Sequence, residues 1–90
     1  MGTILLYYKY IHIEYPERIL KWQKKICTDL NLKGRIIIAH EGINGTLGGT
    51  TENTELYKKI MHKDPLFADM VFKESPGSAD CFPKMRILVK

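Results

Sequence analysis

The 90-residue chain has material for one hydrophobic core, since a second could not be assembled from what the first leaves over. Its apolar share of 44%, with one Trp, five Tyr and three Phe, supports a packed interior, while 27% charged residues and apolar runs as short as Arg35-Ile36-Ile37-Ile38-Ala39 exclude a membrane-embedded chain. Fourteen Lys and Arg against ten Asp and Glu give +4, which permits an anionic partner without requiring one.

Two cysteines far apart, Cys27 and Cys81, with no signal-peptide pattern ahead of the first apolar run, imply a reduced cytoplasmic chain without a disulfide. The opening Thr3–Tyr10 is rich in β-formers and alternates Ile4, Leu6, Tyr8 and Tyr10 against Thr3, Leu5, Tyr7 and Lys9. Both sets are partly apolar, so the strand is expected to be central, with its phase open. His12–Tyr15 reads as a loop and Pro16 as the first turn of a helix, where its missing N–H costs nothing. Ile19, Trp22, Ile26 and Leu30, flanked by Leu20 and Cys27, recur at helical spacing to Leu30. Gly34 is placed to take a left-handed conformation between this helix and the second strand, Arg35–His40.

Glu41-Gly42-Ile43-Asn44-Gly45 is dense enough in turn residues to reverse the chain, returning through Thr46 and Leu47 and ending at Gly48, Gly49 and Thr50. Thr51 is a candidate cap for a second helix with a stripe of Leu56, Tyr57, Ile60 and Met61, terminated at Asp64-Pro65. Leu66–Met70 suggests a helical turn, Val71–Lys73 a short strand, Glu74–Asp80 a loop and Met85–Lys90 a fourth strand. The order β-α-β-β-α-β over residues 1–90 predicts a single α+β domain of ferredoxin-like type: a four-stranded antiparallel sheet with both helices on one face. Trp22, Ile26, Leu56 and Ile60 are expected to bury against that face, leaving the other solvated, packed on another domain, or used for a ligand.

Polar chemistry concentrates at His40, Glu41, Gly42, Asn44 and Gly45, a substrate- or partner-binding candidate or simply a well-formed turn. No P-loop or dinucleotide fingerprint fits the stretch, and its GxxG follows a strand rather than joining helices as in KH domains. His12, His40, His62 and the two cysteines lack metal-ligand spacing, so no metal and no cofactor is implied. Cys81–Arg86 is not a persulfide-carrying loop, because Pro83 and a following strand replace the small residues and helix N-terminus that would stabilise a thiolate; Cys81 reads as a small apolar residue. An acylphosphatase-type enzyme would want a glycine cradle between the first strand and helix, where Glu14 and Glu17 instead flank Arg18. Lys9, Lys84, Arg86 and Lys90 with Tyr7 and Phe82 could line an open sheet face for nucleic acid.

Tyr8-Lys9-Tyr10, Lys33–Thr46 with its Ala39-His40-Glu41-Gly42-Ile43-Asn44 core, and Cys81–Arg86 together resemble the N-terminal, acylphosphatase-like domain of a rhodanese-like family. That family includes the bacterial tRNA uridine(34) hydroxylases and the eukaryotic thiosulfate sulfurtransferase/rhodanese-like domain-containing proteins; Gly45–Gly49 and Cys81-Phe82-Pro83 resemble the second branch more. The resemblance implies a downstream rhodanese domain, absent from this chain, that holds the reactive cysteine, so no catalytic residue transfers here. It also implies a role in tRNA wobble-uridine modification or sulfur transfer, with tRNA and that rhodanese domain as partners. The motif His40–Gly45 would be a functional or domain-facing patch, and Lys9, Arg35 and Arg86 a basic rim for nucleic acid. A free-standing acylphosphatase-type enzyme and a protein-interaction module stay open as alternatives.

Overall fold

The computed structural model describes residues 2–78 and 81–90. Its elements run β1 (Gly2–Tyr10), α1 (Pro16–Asp29), β2 (Lys33–Ala39), β3 (Gly42–Thr50), α2 (Thr51–Lys63), β4 (Lys73–Gly77) and β5 (Met85–Val89). The sheet order is β4-β1-β3-β2-β5. Its first four strands are antiparallel neighbours in the ferredoxin-like order, whereas β5 pairs parallel with β2.

Two expectations are thereby corrected. The fourth ferredoxin strand is Lys73–Gly77, not Met85–Lys90, and the stretch read as a loop from Glu74 is paired with β1 as far as Gly77; Ala79 and Asp80 of that loop lie outside the described residues. Pro76 is tolerated because β4 is an edge strand, where a missing N–H removes no ladder bond on the solvent side. Met85–Val89 is a fifth strand on the opposite edge, so the sheet is five-stranded and mixed rather than four-stranded and antiparallel.

The strand phase is settled by burial. Thr3, Leu5 and Tyr7 of β1, Ile36 and Ile38 of β2, and Ile43 and Leu47 of β3 face the helices and are buried. From the helices, Ile26 and Cys27 of α1 and Tyr57 and Met61 of α2 join them, with Phe67 and Met70 of the following turn. Both helices sit rotated from their apolar stripes. Gln23 occupies the centre of α1's buried face and Thr54 that of α2's, while Leu56 is 42% exposed and Trp22 and Ile60 are only partly buried. Trp22 instead lies stacked over Phe67, with ring centroids 6.1 Å apart. Trp22→Ala is therefore expected to cost about 2 kcal/mol in a urea titration, below the range for a fully buried aromatic.

Local signals explain the boundaries. α1 begins at Pro16 and is closed by Asn31 in the left-handed region (φ 50°), with Leu32 N–H bonded 2.9 Å to the Cys27 carbonyl; Gly34 falls inside β2. Thr50, not Thr51, caps α2, its hydroxyl accepting from Asn53 N–H at 3.1 Å. Lys58 reaches Glu55 at 2.7 Å and Glu74 at 2.6 Å, tying α2 to the β4 edge, and these carboxylates raise its pKa. No helix among the described residues is long and apolar enough to cross a membrane.

Candidate functional site

The chain reverses at His40 and Glu41, and β3 already starts at Gly42, so the polar motif splits three ways. At the tip, the His40 ring donates from Nδ1 to the Ile13 carbonyl at 2.9 Å, because a carbonyl can only accept. The His40 and Glu41 carbonyls in turn accept from Ile13 N–H (2.8 Å) and Ile11 N–H (3.1 Å), clamping the tip to the loop that leads into α1. His12 stacks on His40 with centroids 6.4 Å apart.

The glycines are structural. Gly42 has φ 155°, and a Cβ there would overlap the Lys9 carbonyl oxygen; one on Gly45 would come within 2.7 Å of the buried Tyr7 ring. Asn44 projects onto the middle of the helix-free face, between Ile37 on β2 and Tyr8 on β1, and Glu41 borders that face at the tip.

Register then builds that face row by row. Arg86, Arg35, Thr46, Leu6 and Lys73 form one row across all five strands, and Leu88, Ile37, Asn44 and Tyr8 the next. A third passes through Ala39, Gly42 and Tyr10, with Lys90 beyond the end of β5. Leu6, Lys73, Ile37, Asn44, Tyr8 and the third row line an open trough of about 1020 Å³, walled by Val71 and Lys73 on one side and by Ala39 and Lys90 on the other, while Arg35 and Arg86 lie beside it. Tyr8 and Tyr10 are 70% and 83% exposed, and Leu6 and Val71 are exposed beside them. Towards Gly48 the same face is covered by Phe82, whose ring lies 3.5 Å from where a Gly48 Cβ would stand.

Of the expected basic rim, Arg35 and Arg86 are side by side on this face. Lys9 is not with them: it belongs to the alternate β1 set, is ion-paired with Asp69, and donates to the Leu66 carbonyl at 2.7 Å. Lys9 holds the Asp69 carboxyl below its usual pKa. Tyr7, expected on the open face, is buried; its place there is taken by Tyr8 and Tyr10. Lys90 lies on the face as expected, and Lys73 joins it unforeseen. None of Arg35, Arg86, Lys73 and Lys90 is ion-paired among the described residues, and Glu41 is the single carboxylate lining the trough.

Candidate nucleophiles and ligands do not converge. Cys27 is buried, which pushes its thiol up to about 12 and keeps it protonated. Cys81 is exposed rather than an apolar filler, its sulfur accepting from Ser78 N–H at 3.1 Å. No group of three or more His, Cys, Asp or Glu among the described residues is placed to hold a metal ion. Arg18, the arginine an acylphosphatase-type site would use, lies over the Tyr15 ring at 5.0 Å.

The molecule is thus an α+β domain of two helices on one face of a five-stranded mixed sheet, with its exposed chemistry on the other. It belongs to the family described as the UPF0176 acylphosphatase-like domain, whose model matches residues 2–90. Proteins named tRNA uridine(34) hydroxylase are similar to it. The one from Bacillus licheniformis is 51% identical over 84 residues, that from Enterococcus faecalis 52% over 82, and that from Corynebacterium efficiens 42% over 90. These alignments cover 93%, 91% and 100% of this chain but only 26%, 26% and 29% of the relatives, so the chain spans about a quarter of their length. All three carry the hydroxylase name, not that of the branch which Gly45–Gly49 resembles more. Among solved structures, the fold is shared with BlrB, a BLUF protein in its dark state (TM-score 0.78, 18% identity, 98% of this chain and 72% of that one). A bacterial light-regulated adenylyl cyclase is similar too (TM-score 0.74, 26% identity, 99% of this chain and 28% of that one).

Proposed function

We propose that this chain is a non-catalytic accessory domain in tRNA wobble-uridine modification, acting in the cytoplasm by holding tRNA on its helix-free sheet face. The observation that carries the reading is the row Arg86-Arg35 with Lys73 and Lys90: four cations without carboxylate partners among the described residues, on one face of a chain whose relatives are named for a tRNA modification. Two arginines in adjacent register repel each other, and a phosphate between them would relieve that repulsion while accepting their fork-shaped donors. The clamped tip at His40 and Glu41 lies at the end of the same face and suits contact with a neighbouring rhodanese domain of a parent chain. The acylphosphatase alternative is weakened by the glycine-free loop before α1 and by the stacking of Arg18 on Tyr15.

Labelled tRNA titrated into the 90-residue chain at 50 and 200 mM salt tests this. Binding at low salt is expected to weaken as salt rises, and an Arg35→Ala/Arg86→Ala double substitution to lower the slope of log affinity against log salt by about 2. Absence of binding at low salt, or indifference to the double substitution, would reassign the face to domain packing.

A further inference from the structure

We propose that the trough beside the cationic row is a stacking site for unpaired RNA bases, with Tyr8 and Tyr10 as its platform and Asn44 as the group that meets a base edge. The inference rests on the tRNA reading above and narrows it to single-stranded nucleotides. Its ground is the pairing of two chemistries in adjacent rows. Arg86 and Lys73 supply charge at the two edges of the sheet, roughly four strand spacings or about 19 Å apart, with Arg35 on the strand beside Arg86. The next rows supply flat, exposed π surface. A duplex presents phosphates but hides its base faces, so it would satisfy the cations and leave the tyrosines in water. An isolated phosphate would do the same. Unpaired RNA alternates anionic phosphates with flat, weakly hydrated bases, which complements both rows at once.

Geometry refines the expected ligand. The Tyr8 and Tyr10 rings are 6.0 Å apart and inclined at 74°, so they cannot continue one stack. A base lying on one ring meets the edge of the other, which favours bases splayed out singly over a stacked run. Asn44 stands in register with Tyr8 and offers both an amide donor and a carbonyl acceptor, the combination needed to pair with the edge of a uracil. Val71, 77% exposed across the trough from Ile37, gives the base an apolar wall.

The test is competition against labelled tRNA by a seven-nucleotide uridine-rich single strand and by a duplex of equal length, with the wild-type chain and with Tyr8→Ala, Tyr8→Phe and Tyr10→Ala. Both tyrosines are exposed, so the variants should keep the wild-type circular dichroism spectrum. The single strand is expected to compete and the duplex to compete at least 10-fold less well. Tyr8→Ala is expected to weaken the single strand about 10-fold and Tyr8→Phe less than about 2-fold, because phenylalanine keeps the π face. Equal competition by duplex and single strand, or tRNA affinity unchanged by both alanine variants, overturns the stacking site and leaves the phosphate contacts of the broader reading standing. Failure of tRNA itself to bind at low salt removes both, and assigns the trough to contact with protein.

Discussion

Gly42→Val is expected to lower the melting temperature of the domain by about 15–30 °C, read by scanning fluorimetry or calorimetry. The residue sits at φ 155°, where a β-branched side chain is strained, and any Cβ would run into the Lys9 carbonyl oxygen. That oxygen cannot retreat as a flexible side-chain end could. It belongs to the backbone of β1, where Lys9 is in register with Ile43 and Tyr10 with Gly42, and moving it would unzip the central strand pair from its hairpin end. Backbone strain of about 1–3 kcal/mol and displacement of a packed neighbour at about 1–3 kcal/mol sum to roughly half the stability of a small domain. At about 4–8 °C per kcal/mol for a chain of this size, the stated shift follows. Asn44→Ala, two residues on and exposed, should leave the melting temperature within about 3 °C while altering ligand affinity, so the pair of variants separates the motif's structural half from its displayed half. A Gly42→Val domain melting within about 5 °C of wild type would show that the hairpin does not depend on this conformation.

The division of the motif is what sequence could not supply. Its residue types announced a turn and a polar display together, yet only a register decides which neighbour faces out, and a shift by one residue would exchange Asn44 for Ile43. The order of the first five elements was readable from local markers: the β-rich alternation of Thr3–Tyr10, Pro16 at a helix start with helical spacing through Ile26, the β-branched run at Ile36–Ile38, the turn residues of Glu41–Gly45 that return the chain, and Asp64-Pro65 at a helix end. β4 carried none. Lys73-Glu74-Ser75-Pro76-Gly77 has the composition of a loop, and it is a strand because β1 offers it an unpaired edge. Once β4 holds that edge, Met85–Val89 is left with the far edge beside β2, and the parallel pairing follows.

The helix faces were displaced for a related reason. Counting apolar spacing put Leu56 and Trp22 inward and would never nominate Gln23, whose amide is completely buried. Burial of Gln23 is worthwhile only because α2 brings Tyr57 and Met61 to meet it, a tertiary fact with no local signature. The same rotation set the face of β1. Tyr7 goes inward because its hydroxyl finds Tyr57 there, and Tyr8 and Tyr10 are left outside as the exposed platform. Lys9 follows Tyr7 in phase and is drawn to Asp69, which is why one member of the expected basic rim lies apart from the other two.

That buried network governs the second large effect. Tyr57 O–H donates to Gln23 Oε1 at 2.7 Å, so the 2.6 Å contact between the two tyrosines has Tyr7 O–H as donor to the Tyr57 oxygen; Gln23 Nε2 closes the chain on the Met61 sulfur at 3.0 Å. Tyr57→Ala is expected to cost about 3–5 kcal/mol through the cavity it leaves. Tyr57→Phe, which keeps the ring but strands the Gln23 carbonyl, should cost about 1–3 kcal/mol. The network also fixes a pH dependence. Burial raises the pKa of Tyr7 and Tyr57 well above the ordinary 10.0 and pushes Cys27 from 9.0 to about 12. In the unfolded chain these groups release their protons near pH 9 to 10, whereas the folded protein retains them, so the unfolded state binds fewer protons and stability falls as pH rises. The stabilisation is complete below pH 9, and each group removes up to about 1.4 kcal/mol per pH unit above its unfolded pKa. Urea midpoints measured from pH 7 to 11 should therefore be level to about pH 9 and then decline steeply. Tyr57→Phe should start lower and decline less steeply, by up to one group's share, since it no longer carries that proton. A midpoint flat to pH 11 in the wild type, or an equal slope in the variant, would show that these hydroxyls are not held protonated by the core.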